Sequence, residues 1–141
     1  MPAIFEFEHH VTAGEIDALG HVNNLDYLRW MLQAAIAHST AQGWPPERHL
    51  ELGAGWVVRS HFIEYLRPAF AGDRVVVRTW VADFRKTTSR RKYRILRPAD
   101  DTLLAVAETN WVFICYQRRV PRRVPAEVSG AFEVVSREDA C

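Results

Sequence analysis

The sequence predicts an α+β domain in which a curved antiparallel sheet encloses one long helix. One observation is a single, unusually apolar helical pattern over residues 24–42. A second is the run of strand-like segments that follows it, rich in Val, Ile and aromatic residues, at 56–66, 74–84, 89–97 and 102–116. Because no second long helical pattern is present to connect parallel strands, we expect these four strands to form an antiparallel meander.

The size and composition indicate one ordinary globular domain spanning residues 1–141. With 48% hydrophobic and 25% charged residues, the chain has no apolar run of the roughly 20 residues that a membrane span needs. Its start also lacks a basic segment followed by an apolar one, so we expect no membrane partner. The two cysteines, Cys115 and Cys141, make no disulfide framework. These features together predict a cytoplasmic protein.

The basic residues are clustered although the net charge is only +1. Seven of the 18 lie between Arg85 and Arg97, and four more between Arg118 and Arg123. The acidic residues are spread along the chain. This distribution predicts a local positive patch, which suits a small polyanionic ligand better than a long nucleic acid.

The helical pattern has clear ends and a wide apolar surface. A strand pattern at 4–11 precedes it, Asn23 is a good N-cap, and Gly43 followed by two prolines ends it. We expect its polar stripe to consist of Asp26, Arg29, Gln33 and Thr40. Since the remaining surface is apolar, the sheet should wrap around the helix. One sheet face and at least one edge strand then stay uncovered, which predicts a homodimer or homotetramer.

A motif directly before the helix resembles a known family. Residues 15–24 read Glu-Ile-Asp-Ala-Leu-Gly-His-Val-Asn-Asn, and Tyr27 follows in the helix. This is similar to the hotdog-fold thioesterases related to 4-hydroxybenzoyl-CoA thioesterase and to the long- and short-chain acyl-CoA hydrolases. The resemblance continues through residues 61–77 and 118–128, so it covers nearly the whole chain. The chain has Glu15 where that family more often has Asp.

The resemblance implies hydrolysis of an acyl- or aroyl-CoA thioester. It assigns the catalytic carboxylate to Asp17, which, being ionised at neutral pH, can attack the carbonyl or take a proton from water. It places the thioester oxygen near the backbone N–H of Asn24, where the free amides and the dipole of a helix N-terminus stabilise an oxyanion. Gly20 would let the backbone pass close to the substrate. His21 and the Asn23 side chain would orient the loop or a water molecule.

Each of these residues also has a purely structural alternative. Asn23 serves as a helix cap in either case, and Asp17 would bridge backbone amides of its own loop. We expect His21 to be a hydrogen-bonding residue in preference to a general base. Tyr27 should pack at the contact between helix and sheet and border the substrate pocket. Glu64, on a strand, is the reserve candidate for the catalytic carboxylate.

We expect no separate cofactor, because coenzyme A would enter as part of the substrate. The basic segment at 84–94 is the candidate grip, meaning the binding site, for this coenzyme A. Its phosphates suit guanidinium, ammonium and hydroxyl groups, and we assign the role to Arg85, Lys86, Ser89 and Arg90. The alternative is a set of solvated charges that discourages edge-to-edge pairing. No RNA-binding motif accompanies the cluster. We expect no metal site, because the six histidines are scattered.

Three other functions compete with the thioesterase. The first is a hotdog dehydratase acting on acyl-carrier-protein substrates, whose histidine loop runs into Gly-Asn-Pro in place of Asn-Asn. The second is a non-catalytic module that binds acyl groups or coenzyme A. The third is a nucleic-acid binder using the basic cluster. Which acyl group is bound does not follow from the motif.

Overall fold

A computed structural model describes residues 3–135. The helices are α1 (Asn24–Ala41), α2 (Pro46–Leu52) and α3 (Ala126–Ser129). The strands are β1 (Phe5–His10), β2 (Ala54–Tyr65), β3 (Arg74–Phe84), β4 (Thr88–Arg97), β5 (Thr102–Cys115) and β6 (Val120–Pro121). The predicted long helix and all five predicted strands are confirmed, with ends that differ by at most two residues. The short elements α2, α3 and β6 were not predicted.

The strands form one antiparallel sheet in the order β1-β3-β4-β5-β2, with β6 paired to the end of β5. The expected four-strand meander is therefore wrong in one respect: only β3, β4 and β5 follow it, and β2 pairs with β5 instead of β3. The route of α1 explains the difference. In the sequence, α1 lies between β1 and β2, which are the two edge strands of the sheet. The helix crosses the sheet and so carries the chain from one edge to the other.

The core lies between α1 and the sheet in two clusters. The larger one surrounds the first half of the helix, where Trp30 and Met31 are completely buried. The smaller one is built around Trp44 and Phe113, near the C-terminal end of the helix. In β4, alternate residues point toward the helix and are buried, namely Ser89, Arg91, Tyr93 and Ile95. Apolar contacts therefore hold both ends of the helix against the sheet.

The predicted polar stripe of α1 is wrong at its first member. Asp26 is buried, and its carboxylate accepts a hydrogen bond at 2.7 Å from the guanidinium of Arg29, which reaches over it. The other three members, Arg29, Gln33 and Thr40, are exposed, as expected. Leu25 and Ile36 are also more than half exposed. The sheet therefore wraps the helix less completely than its apolar surface predicted.

The two edges of the sheet differ in length and polarity. On the outer face of β1, a strand of six residues, Glu6 and Glu8 pair at 2.8 Å with arginines of β3. β2 has twelve residues, and in residues 3–135 no other strand pairs with its outer edge. Its exposed apolar side chains are Val57, Val58, Phe62 and Tyr65. A long apolar edge of this kind is a ready template for another strand.

Two further sequence expectations concern cysteine and the membrane. Cys115 is a free thiol at the end of β5, whereas Cys141 lies outside the described residues. Among the residues that are described, no helix combines the length and the apolar composition that a bilayer crossing requires.

Candidate active site

The loop before α1 is closed into a tight turn around Asp17. An antiparallel bridge joins Ile16 to Val22, the Asp17 N–H donates to the His21 carbonyl at 2.8 Å, and the Gly20 N–H donates to the Asp17 carbonyl at 3.1 Å. Gly20 has a φ of +87°, in the left-handed region that glycine adopts without strain. This turn places the Asp17 and His21 side chains next to each other.

The two oxygens of the Asp17 carboxylate have different contacts. Oδ1 accepts a hydrogen bond from the Leu19 N–H at 2.9 Å, which fixes the side chain. Oδ2 lies 3.5 Å from Nδ1 of His21. The side chains of Asp17 and His21 are 26% and 35% exposed, so both can reach a bound molecule. The predicted structural role of Asp17 is thus present, and one oxygen stays available for chemistry.

The start of α1 has the predicted cap and one free amide. The Asn23 side chain accepts from the Leu25 N–H at 2.9 Å, and the Asn23 N–H donates to the carbonyl of Glu15 at 2.8 Å. Within the described residues the Asn24 N–H has no acceptor. Asn24 is an exposed residue at the positive end of an 18-residue helix. Such an amide can donate to an incoming oxyanion.

Two tyrosines connect this helix start to β2. The Tyr65 hydroxyl donates to the Asn24 carbonyl at 3.0 Å, and the Tyr27 ring meets the Tyr65 ring edge-on at 5.1 Å. Tyr27 is buried, and this burial raises the pKa of its hydroxyl. It packs between helix and strand as expected. Glu64, the reserve candidate, is exposed on β2, and no described contact joins it to Asp17.

Glu15 is the anchor of the loop. Its carboxylate accepts from His9 and from the Thr12 N–H, both at 2.9 Å, and from the Trp30 indole at 2.8 Å. Burial alone would raise the pKa of Glu15, but these hydrogen bonds outweigh it and the pKa is lowered. Glu15 thus ties the loop to both β1 and α1. No group of three side chains able to hold a metal ion occurs in the described part of the chain.

A cavity of about 230 Å³ lies at the other end of α1, between the helix and the sheet. The helix contributes residues between Ala35 and Ser39, which are roughly 16–23 Å along the axis from Asn24. The remaining walls are largely aromatic and come from several elements, with Trp44, Trp56, Phe84, Trp111, Tyr116 and Phe132. The sequence did not predict this cavity. Its size and apolar walls are those of a small-molecule site.

Among the described residues, one charged side chain lines the cavity. Arg91, only 6% exposed, donates through Nη1 to Nδ1 of His38 at 2.9 Å and to the Thr79 hydroxyl at 3.0 Å. A guanidinium only donates hydrogen bonds, so this nitrogen of His38 is unprotonated. Burial and the nearby Arg91 lower the pKa of His38 to about 4. No carboxylate within residues 3–135 is paired with Arg91.

His38 should make the folding stability depend on pH. Its folded pKa of about 4 lies below the ordinary histidine pKa of 6.5, so the unfolded chain binds the proton more readily. The free energy of unfolding should fall by about 3 kcal/mol as pH decreases from above 6.5 to about 4. The rings of Phe5 and Phe132 and the Arg91 guanidinium face the imidazole.

The test is urea unfolding at several pH values for the wild type and for His38→Gln, which keeps an acceptor for Arg91 but does not titrate. We expect a flatter pH profile for this variant. The control is His10→Gln on the exposed face of β1. Equal slopes in the wild type and His38→Gln would contradict the assignment.

A basic cleft brings together the two basic segments of the sequence. The Val124 N–H donates to the Lys86 carbonyl at 2.9 Å, which fixes the C-terminal segment against the β3–β4 turn. The cleft is lined by Arg85, Lys86 and Arg123. Arg123 was not among the predicted grip residues. The high basic content of 118–123 was the signal for it, but its approach to Lys86 depends on the fold.

The other two predicted grip residues lie elsewhere. Ser89 is buried and borders the apolar cavity, and its hydroxyl donates to the Asp83 carbonyl at 2.8 Å. Arg90 donates through Nε to the Asp83 carboxylate at 2.9 Å. The structure therefore places two of the four predicted residues in the cleft and two outside it, and Nε of Arg85, in the cleft, also lies 3.6 Å from the Asp83 carboxylate.

The curved antiparallel sheet around one long helix, with an acid-bearing loop at the helix start, defines the hotdog class of proteins. The chain belongs to the thioesterase-like superfamily, whose family profile matches residues 11–132. That membership places it among the thioester hydrolases. No curated protein sequence matches the chain.

Solved structures share this fold over most of their length. The chain is similar to a 1,4-dihydroxy-2-naphthoyl-CoA thioesterase from Synechocystis, at 22% identity and a TM-score of 0.84, covering 91% of this chain and 94% of that one. It is similar to a Staphylococcus aureus protein in complex with CoA, at 18% identity and a TM-score of 0.85, covering 91% and 80%. It is also similar to a DHNA-CoA thioesterase from Staphylococcus aureus, at 22% identity and a TM-score of 0.80, covering 85% of this chain and 80% of that one.

Proposed function

We propose that the protein hydrolyses the thioester bond of an acyl- or aroyl-CoA to the free acid and coenzyme A. The observation that carries the proposal is the loop before α1. Its tight turn holds an accessible carboxylate, Asp17, in the segment that leads into the unoccupied N–H of Asn24. Two of the similar structures are thioesterases of an aromatic CoA ester and another contains CoA, which supports this class of substrate.

Asp17 supplies the base or the nucleophile. In the first course its Oδ2 takes a proton from water, whose oxygen adds to the carbonyl carbon. The C–S bond then breaks and the leaving thiolate receives the proton. In the second course Asp17 itself adds to the carbonyl and the C–S bond breaks, so that the thiolate leaves and an anhydride forms. Water then hydrolyses the anhydride to the free acid, which regenerates the Asp17 carboxylate and supplies a proton to the thiolate. In both courses His21, 3.5 Å away, holds the carboxylate in place.

The start of α1 stabilises the negative charge that develops on the carbonyl oxygen. The Asn24 N–H points out of the first turn with no acceptor in the described chain. The cap of Asn23 and the bond from Tyr65 to the Asn24 carbonyl hold this turn in place. Removing a single donor of this type typically costs about 10²–10³-fold in rate.

We assign the coenzyme A phosphates to the basic cleft at Arg85, Lys86 and Arg123. Its three cations converge from two segments. Arg85 also lies 3.6 Å from the Asp83 carboxylate, but Arg90 is held closer to that carboxylate, at 2.9 Å, and Ser89 is buried. Guanidinium groups bind phosphate oxygens in pairs and without titrating. The pantetheine chain would connect this cleft to the thioester.

Replacing both cleft arginines should weaken binding of the coenzyme and spare the chemistry. For Arg85→Ala with Arg123→Ala we expect KM for CoA esters to rise about tenfold or more, because two charge-assisted contacts are lost. KM for the matching pantetheine esters, which lack the phosphates, should barely change. Arg118→Ala removes an exposed charge outside the cleft and serves as the control. Equal effects on both ester types would refute the assignment.

We further propose that the active unit is a dimer in which β2 pairs with β2 of a second copy. The length and apolar character of this edge favour it over β1. Two-fold antiparallel pairing sets the Trp56 end of one strand beside the Tyr65 end of the other. Since Tyr65 contacts the start of α1 and Trp56 lines the cavity, each catalytic loop would face the cavity of the second copy.

Release of free thiol tests the proposed activity. A panel of acyl- and aroyl-CoA esters of increasing chain length and ring size would be incubated with the enzyme, and thiol measured with a chromogenic disulfide. We expect turnover of at least one class that exceeds the rate without enzyme. Binding of CoA esters without thiol release from any of them would instead favour the non-catalytic binding module.

A further inference from the structure

The cavity at the C-terminal end of α1 contains a buried charge that no neighbour in the described part of the chain neutralises. Arg91 is held by two neutral groups, the imidazole of His38 and the hydroxyl of Thr79. Within residues 3–135 it has no carboxylate partner. A buried cation without a counter-charge is costly, because the desolvation of its charge is not offset by Coulomb attraction. An anionic group entering the cavity would supply that offset.

The hydrogen bonds of Arg91 leave donors available to a ligand. A guanidinium has five N–H groups, and the described contacts of Arg91 use only Nη1. The nearby Phe132 ring lies 6.0 Å from the guanidinium carbon and gives it an aromatic neighbour instead of an acid. The Arg91 side chain is therefore positioned by His38 and Thr79 and can still bind a carboxylate in two-point fashion.

The rest of the cavity selects for an apolar body. Its aromatic walls fit a flat ring or a short aliphatic chain. An apolar cavity of about 150 Å³ suffices for benzene, so 230 Å³ accommodates a ring with a further substituent. A single cation at one point in an otherwise apolar space matches a ligand with one acidic group on such a body.

We propose that the cavity holds the acyl part of the thioester, and that Arg91 selects acyl groups that carry a carboxylate at the end remote from the thioester. The substrates would then be CoA monothioesters of dicarboxylic acids, aliphatic or aromatic. This inference rests on the proposed function, because it assigns the cavity to the acyl group of that substrate. Arg91 is a specificity-determining residue in this scheme and takes no part in bond cleavage.

Matched substrate pairs test the selection. One pair is hexanoyl-CoA and the monothioester of adipic acid, and the other is benzoyl-CoA and 4-carboxybenzoyl-CoA. For the wild type we expect kcat/KM to be at least tenfold higher for the carboxylated member of the pair that fits, as a buried charge pair would give. Arg91→Met should abolish or reverse this ratio, and Arg91→Lys should restore part of it. A wild-type ratio of one or below in both pairs would overturn the proposal.

Direct binding separates this inference from the thioesterase proposal. Trp44, Trp56 and Trp111 line the cavity, so quenching of tryptophan fluorescence reports on its occupancy. Free benzoate and hexanoate should bind the wild type more tightly than the neutral benzamide and hexanamide, and Arg91→Met should remove the difference. Arg91-dependent binding without any thioester cleavage would refute the proposed function alone. If Arg91 were needed for binding of free acids but Arg91→Met left the kcat/KM ratio of the two esters in each pair unchanged, the assignment of the cavity to the acyl group would be refuted.

Discussion

Asp17→Asn is expected to lower kcat by about 10²–10⁴-fold, the usual contribution of a positioned base. The amide oxygen of asparagine can still accept the Leu19 N–H, so the turn should persist. What is lost is the charge at Oδ2, next to His21. The measurement is thiol release under saturating substrate, together with urea unfolding to verify that the stability is retained.

The matched control for Asp17 is His21→Gln. If His21 only positions the carboxylate, its variant should lose much less activity than Asp17→Asn, because glutamine keeps a hydrogen-bonding group near Oδ2. A near-normal rate for Asp17→Asn would remove Asp17 from the chemistry. Glu64, exposed on β2, would then be the next residue to test.

Two inactive variants are expected to restore activity when they share one dimer. The first is Asp17→Asn. The second fills the mouth of the cavity through Ile36→Trp with Ser39→Phe, at positions that are not fully buried. In a mixed dimer the intact loop of one copy would face the intact cavity of the other. Roughly half of the wild-type rate per dimer should return, since one of two equivalent sites is complete.

The experiment requires co-expression with two different tags, so that only mixed dimers are purified, and their mass is checked by light scattering. Both parent dimers must be inactive on the same ester. If loop and cavity acted within one copy, every site of the mixed dimer would carry one defect and no activity would return. As a control on the interface, Phe62→Asp on β2 should yield monomers, whereas Leu50→Glu on the exposed side of α2 should not.

Local patterns predicted the elements, but not the order in which they pair. Residues 56–66 read correctly as a strand, yet their pairing with β5 depends on the path that α1 takes across the sheet. No pattern within β2 encodes that path. Asp26 was assigned to a polar stripe by its spacing, and its burial follows from the Arg29 side chain covering it, which a helical period does not show.

The site was predictable to the extent that it is contiguous in sequence. The turn around Asp17 and the cap at Asn23 both lie within residues 15–24, as does Glu15, whose anchoring contacts were not predicted. The cavity is assembled from α1, α2, four strands and Phe132, so no window of sequence contains it. One signal was present: in 89–97, alternation puts Arg91 on the same face as Tyr93 and Ile95. The density of charge in that segment favoured a surface interpretation for all of it.

The anchor formed by Glu15 makes the loop before α1, which we propose to be catalytic, part of the folding unit. A single carboxylate joins β1 through His9, the loop through the Thr12 amide, and the buried Trp30 of α1. The loop therefore cannot open without releasing a core tryptophan from its acceptor. The hydrogen-bonded amides of Asp17, Val22 and Asn23 should therefore exchange with solvent through global unfolding, and not through local fluctuation. For protein engineering, this means that grafting the loop onto another hotdog scaffold requires His9, Glu15 and Trp30 to be transferred together.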